Sequence, residues 1–220
     1  MKKLQIPILV IIACIVMAIV DAIIQPGYAI KSLIKIIMFI LIPVAYCCYN
    51  KEINIKNLLK PNKKGLLIAF ALGLGVYAII LGAFLVFRNV FDFSALTKSL
   101  GETTGVNKSN FIWVAIYISF VNSLLEEFFF RGFSFITLKK HTTRKFAYIF
   151  SALAFSLYHI AMMIGWFGMP VIIISLIGLF AGGVIFNLFD EKRGNIYLSW
   201  LIHMFANFAT NTIGFIRFAA

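Results

Sequence analysis

The stretch Phe111-Ile-Trp-Val-Ala-Ile-Tyr-Ile-Ser-Phe-Val-Asn122-Ser-Leu-Leu-Glu126-Glu127-Phe-Phe-Phe-Arg131-Gly-Phe-Ser-Phe135 sets two carboxylates and a guanidinium into an otherwise apolar run. It exceeds the roughly 20 residues that a helix needs to cross bilayer hydrocarbon. A helix apolar on nearly every side has no face to offer water. The run therefore reads as a membrane span whose charges face the interior of a bundle, where such groups mark functional sites.

Six more apolar segments accompany it. They run approximately Leu4–Ile24, Ser32–Tyr49, Leu66–Phe87, Ala147–Ile164, Pro170–Leu188 and Asn195–Ile213. Composition agrees: 62% of the 220 residues are hydrophobic and 13% charged, against about half and a quarter in soluble domains. The expected fold is an all-α, polytopic membrane helical bundle with about seven transmembrane helices. A short interfacial helix in Phe91–Lys108 would make eight. No repeat or linker divides the chain, so residues 1–220 read as a single integral-membrane domain. The Lys2-Lys3 start is signal-like, but the apolar run continues to Ile24 and reads as an uncleaved first span.

A net charge of +12 can signal nucleic acid, but here the basic residues gather between apolar runs and no nucleic-acid partner is expected. Assigned to alternate loops, 14 of the 20 Lys and Arg fall on one side and 6 on the other, Lys31 and Lys35 among the six. The larger group should face the cytoplasm, with the N-terminus cytoplasmic in a multi-pass cell-membrane protein. Cys14, Cys47 and Cys48 suggest no disulfide framework.

Neighbouring helical residues point about 100° apart, so Glu126 and Glu127 have different surroundings. Glu127 is an i,i+4 partner of Arg131 and reads as structural, which leaves Glu126 for chemistry. His159, in Phe155-Ser-Leu-Tyr-His159, and His203 with Asn207, one turn apart, are the other buried candidates; Asn211 extends the last stripe. Counted from the predicted cytoplasmic side at 1.5 Å per residue, Glu126, His159, His203 and Asn207 stand at about 18, 20, 13 and 20 Å. Four polar groups from three segments thus reach similar depth.

One carboxylate, two imidazoles and an amide suffice for peptide hydrolysis without a covalent nucleophile. Glu126 suits a general base on water, and His159 can share that water and pass a proton to the leaving amine. His203 and Asn207 suit donors to a tetrahedral oxyanion. Zinc is the alternative, its ligands then being Glu126, His159 and His203, although Asn is a poor zinc ligand and no His-Glu-x-x-His pair is present. A serine protease would want a second Gly after Gly132-Phe-Ser134, and an aspartyl type two mid-membrane Asp, whereas Asp21, Asp92 and Asp190 lie near segment ends.

Glu126-Glu127-x-x-x-Arg131, Phe155-x-x-x-His159 and His203-x-x-x-Asn207 resemble, in this order, the motifs of the CPBP family, the CAAX protease and bacteriocin-processing (Abi) membrane proteins, which include the type II CAAX prenyl endopeptidases. Gly178-Leu-Phe-Ala-Gly-Gly-Val-Ile-Phe-Asn187 and Arg193-Gly-Asn-Ile-Tyr197 are similar to the stretch between the last two motifs. The resemblance covers residues 111–211. It implies an all-helical intramembrane endopeptidase with its site in a membrane cavity. Glu126 and His159 would activate water, His203 and Asn207 would hold the oxyanion, and no cofactor would be required. It also implies a peptide or membrane-protein substrate, with roles in bacteriocin self-immunity, peptide maturation or surface-protein regulation. CAAX cleavage itself is not expected, because the Lys/Ile/Asn-rich composition suggests an AT-rich bacterium. The alternatives are a non-proteolytic immunity or regulatory protein that binds a partner, and a transporter with a Glu/His proton relay.

Overall fold

A computed structural model of the chain describes residues 2–51, 55–60, 63–90, 105–164 and 167–219. They form seven long helices and no strand: α1 (Lys3–Ile24), α2 (Tyr28–Asn50), α3 (Gly65–Phe87), α4 (Phe111–Lys140), α5 (Arg144–Met163), α6 (Met169–Arg193) and α7 (Tyr197–Ala219). Each expected segment is one of these helices. The first six are long and apolar enough to cross a membrane. The seventh has the length, but His203, Asn207, Thr210, Asn211 and Thr212 dilute its hydropathy. Most of the stretch where an eighth helix was expected, residues 91–104, lies outside the described residues.

The exterior carries what lipid requires: large aliphatic and aromatic side chains such as Ile8, Ile15, Leu67, Ile79, Trp113, Ile174 and Ile177 stand exposed along the helices. The core forms around α4, where Phe129, Phe130, Phe133 and Phe135 meet Phe39 of α2 and Tyr158 of α5. Phe39 and Phe129 stack with ring centroids 4.1 Å apart. Two glycines illustrate the close helix approaches. A Cβ on Gly183 of α6 would stand 3.1 Å from Cα and Cβ of Ala152 on α5, and one on Gly73 of α3 would collide with the ring of Phe205 on α7.

α4 is continuous and widened twice, with i→i+5 turns at Ile118–Asn122 and Phe128–Thr137 on either side of Ser123–Glu127, and it tightens to a 3-10 turn at Leu138–Lys140. Such widened turns frequently occur at functional sites. α7 uses the backbone of this region: Asn211 donates to Ala115 O (3.1 Å), Asn207 to Ile118 O (3.0 Å) and Trp200 Nε1 to Phe120 O (3.1 Å). Asn211 thus serves as a polar seam between helices. In α2 a widened turn at Ile37–Leu41 precedes Pro43, whose ring would crowd the carbonyl four residues back in a regular helix.

One end of the bundle gathers charge. Glu191 near the end of α6 accepts from Lys139 (2.9 Å), from Arg144 at the start of α5 (2.7 Å) and from the Tyr148 hydroxyl (2.6 Å). Leu58, the last residue of a short helical turn between α2 and α3, accepts from Ile196 N at that end (3.0 Å). Two residues leave the loop tally from which orientation was read. Arg131 is fully buried inside α4, and Lys35 lies within α2 with only 3% of its surface exposed. The bias of 14 to 6 becomes 13 to 5 and keeps its direction.

Candidate functional site

The α4 segment Ser123–Glu127 points two successive carboxylates in different directions, and both are buried. Glu127 turns away from the cavity. Its Oε2 pairs with Arg131 Nε at 3.2 Å, and its Oε1 accepts from His203 Nδ1 at 2.8 Å. The Arg131 guanidinium lies 4.1 Å from the Phe155 ring centroid and 5.3 Å from that of Phe186, so the pair is sealed among aromatic faces. The expected i,i+4 ion pair is present, and the carboxylate also holds an imidazole.

Glu126 faces a cavity of about 540 Å³ lined also by Lys35, Asn122, His159, His203 and Asn207. Its two oxygens differ. Oε1 receives Lys35 Nζ at 2.5 Å and Asn122 Nδ2 at 3.0 Å. Lys35 Nζ also donates to Asn122 Oδ1 at 2.6 Å, which closes a three-residue ring. Oε2 has no hydrogen-bond partner among the described residues; it stands 3.8 Å from His159 Nε2 and 3.7 Å from His203 Nε2. Glu126 is therefore held through one oxygen and open at the other.

Each imidazole is aimed through its other nitrogen. The regular turn of α5 stops at Tyr158 and resumes at Ile160, with His159 N–H bonded three residues back to Ser156 O (3.1 Å). His159 Nδ1 is 2.7 Å from Phe155 O, which only accepts, so Nδ1 carries the hydrogen and neutral His159 turns a lone pair on Nε2 towards Glu126. His203 Nδ1–H donates to a carboxylate instead. Asn207, half-buried one turn along α7, spends one amide hydrogen on Ile118 O and keeps the other.

The structure thus brings Glu126, His159 and His203 together, places Asn207 on the same cavity wall and sets Glu127 and Arg131 behind His203. Sequence reading missed Lys35 and Asn122. Lys35 lies only seven residues into α2, close enough to the segment edge to be counted with Lys31 as a loop charge. Lys31 itself pairs with Asp21 at 2.5 Å. The rule applied to Glu126, that an ionisable residue inside an apolar run is functional by default, would have found Lys35.

The carboxylate and imidazoles are also the side chains that zinc would require. Two donors at 2.0–2.1 Å on a tetrahedral ion stand about 3.3 Å apart. Glu126 Oε2 is farther from both Nε2 atoms, and its Oε1 already bears an ammonium. Among the described residues no group of three His, Cys, Asp or Glu is arranged to hold an ion.

The chain is a polytopic membrane protein whose interior cavity presents a carboxylate to two imidazoles. Residues 108–209 match the family model described as type II CAAX prenyl endopeptidase Rce1-like. That match, over slightly less than half of the chain, supports kinship with the CAAX proteases, which are peptide hydrolases. The matched segment carries Glu126, Glu127, Arg131, His159, His203 and Asn207, and stops short of Lys35. No curated protein and no solved structure gives a significant match.

Proposed function

We propose that the chain is a glutamate-dependent intramembrane endopeptidase and that Glu126, His159, His203 and Asn207 are its catalytic residues. The observation that carries this reading is the Glu126 oxygen without a partner, facing two Nε2 atoms inside a cavity. A water held between Glu126 Oε2 and His159 Nε2 gives up a proton to the carboxylate as its oxygen bonds to the scissile carbonyl carbon. The carbonyl oxygen becomes an oxyanion. It receives the free amide hydrogen of Asn207 and the Nε2–H of protonated His203, for which Glu127 is the counter-charge. The proton on Glu126, passed directly or through His159, goes to the leaving nitrogen. The C–N bond breaks, and an acid and an amine result.

The substrate is a peptide or membrane protein that reaches the site from the bilayer, since apolar side chains such as Ile80, Phe84, Val114, Met162 and Ile174 line most of the cavity. Residues 1–220 act as one domain with the catalytic core at 111–211, and the charged end of the bundle with the N-terminus faces the cytoplasm. The composition supports a bacterial setting, with bacteriocin self-immunity, peptide maturation or membrane-protein processing as the process served.

The test compares new peptide termini, by mass spectrometry, in membranes and medium of cells that express wild type or Glu126→Ala at equal level. Termini present only with wild type are expected. Identical termini in both would remove the protease reading in favour of a protein that binds a partner.

A further inference from the structure

Lys35 comes from α2, outside the segment that matches the family, and is nonetheless the nearest charge to Glu126. We infer that Lys35, with Asn122, is a positioning residue for the proposed hydrolysis: it clamps Oε1 of Glu126 and neutralises the carboxylate, which leaves Oε2 as the single reactive oxygen. This rests on the protease reading of the same site.

Four observations support it. Burying an ionised carboxylate in an apolar interior is costly unless a counter-charge accompanies it; Lys35 supplies that charge, just as Arg131 does for Glu127. The bonds to Lys35 and Asn122 both end on Oε1, so they fix the carboxylate's rotation without occupying the oxygen that faces His159 and His203. Asn122 is bonded to Lys35 as well as to Glu126 and sits one turn before it on α4, so neither clamp can shift without the other. Lys35 Nζ also lies over the rings of Phe39 and Tyr158, 5.3 and 5.1 Å from their centroids. A base that must be ionised and aimed thus depends on a residue of the N-terminal half.

The experiment uses full-length wild type, K35M, K35R, E126Q and K35M/E126Q purified in detergent. Its probe is a quenched fluorogenic peptide built on the wild-type-dependent terminus. Loss of a positioned base should lower kcat of K35M about 10²-fold with KM within about threefold, and K35R should restore most of it. A second readout needs no substrate: K35M should show the infrared carbonyl stretch of a neutral carboxylic acid, absent from wild type and from K35M/E126Q. Wild-type kcat in K35M, or no such band, would overturn the inference. A matching fall of kcat in K35M and K35R without the band would reduce Lys35 to a packing role and overturn it equally. If wild type and E126Q cleave alike, the protease reading falls, and the band alone decides whether Lys35 is the counter-charge of Glu126.

Discussion

Glu126 and Glu127 are neighbours in the chain, yet replacing each by glutamine should cost the fold very different amounts. Glu127→Gln removes the ion-pair partner of Arg131, a fully buried guanidinium that lies between two aromatic rings and away from the cavity lining. Arginine does not shed its proton, so the charge stays. Removing one partner of a buried pair costs about 3–5 kcal/mol. At about 2–4 °C per kcal/mol for a chain of this size, the unfolding midpoint should fall by about 6–20 °C. Glu126→Gln leaves Lys35 alone, but Lys35 borders the cavity, where water can reach it, and keeps Asn122 Oδ1 at 2.6 Å. Its midpoint should fall by less than about 4 °C, the equivalent of roughly 1 kcal/mol. Tryptophan fluorescence of detergent-solubilised protein during heating measures both, and immunoblots of membranes report accumulation. Equal midpoints, or a lower one for Glu126→Gln, would refute the assignment of the two acids to a sealed structural face and an open chemical face.

Other consequences are as direct. Glu126→Ala and His159→Ala should each reduce peptide cleavage by at least about 10²-fold while accumulation stays near wild type, as terminus mapping and immunoblots would register. Asn207→Ala should lower kcat about 10²- to 10³-fold with little change in KM, because an oxyanion donor acts in the transition state alone; a change confined to KM would remove Asn207 from that role. Chelation should leave cleavage by purified enzyme unchanged, whereas loss with EDTA and recovery with zinc would mean that Glu126, His159 and His203 close on an ion. Gly183→Val should wedge α6 away from Ala152 and destabilise the fold by about 1–3 kcal/mol, read as a lower unfolding midpoint.

How much of this was legible beforehand depended on the spacing of like residues. The seven helices are written in runs of apolar residues, and the Glu127–Arg131 pair in a helical interval, because both are local properties of the chain. That Glu126, His159 and His203 share a level followed from counting residues along helices. The Lys35 contact spans 91 residues and two helices that no periodicity links, so only assembly of the bundle reveals it. The widened turns of α4 were equally hidden. Carbonyls in and beside the first of them accept from side chains of α7, some 80 to 96 residues later. His203 was read as one residue with one task, whereas its two nitrogens address the two glutamates separately.

That last point explains how two similar imidazoles can serve opposite ends of one reaction. His159 Nδ1 donates to a neutral backbone carbonyl, and His203 Nδ1 to an anionic carboxylate. A carboxylate supports a cationic ring, whose Nε2 then donates; a carbonyl supports a neutral ring, whose Nε2 accepts. The donor belongs beside the oxyanion and the acceptor beside the water, which is the division assigned to His203 and His159. Glu127→Gln separates this division of labour from packing alone. Exchanging the carboxylate for an amide keeps an oxygen on Nδ1 but removes the counter-charge. At temperatures where the variant remains folded, kcat should therefore fall more than KM rises. If instead kcat of the folded variant matches wild type, the charge on Glu127 has no part in the chemistry, and His203 must donate without it.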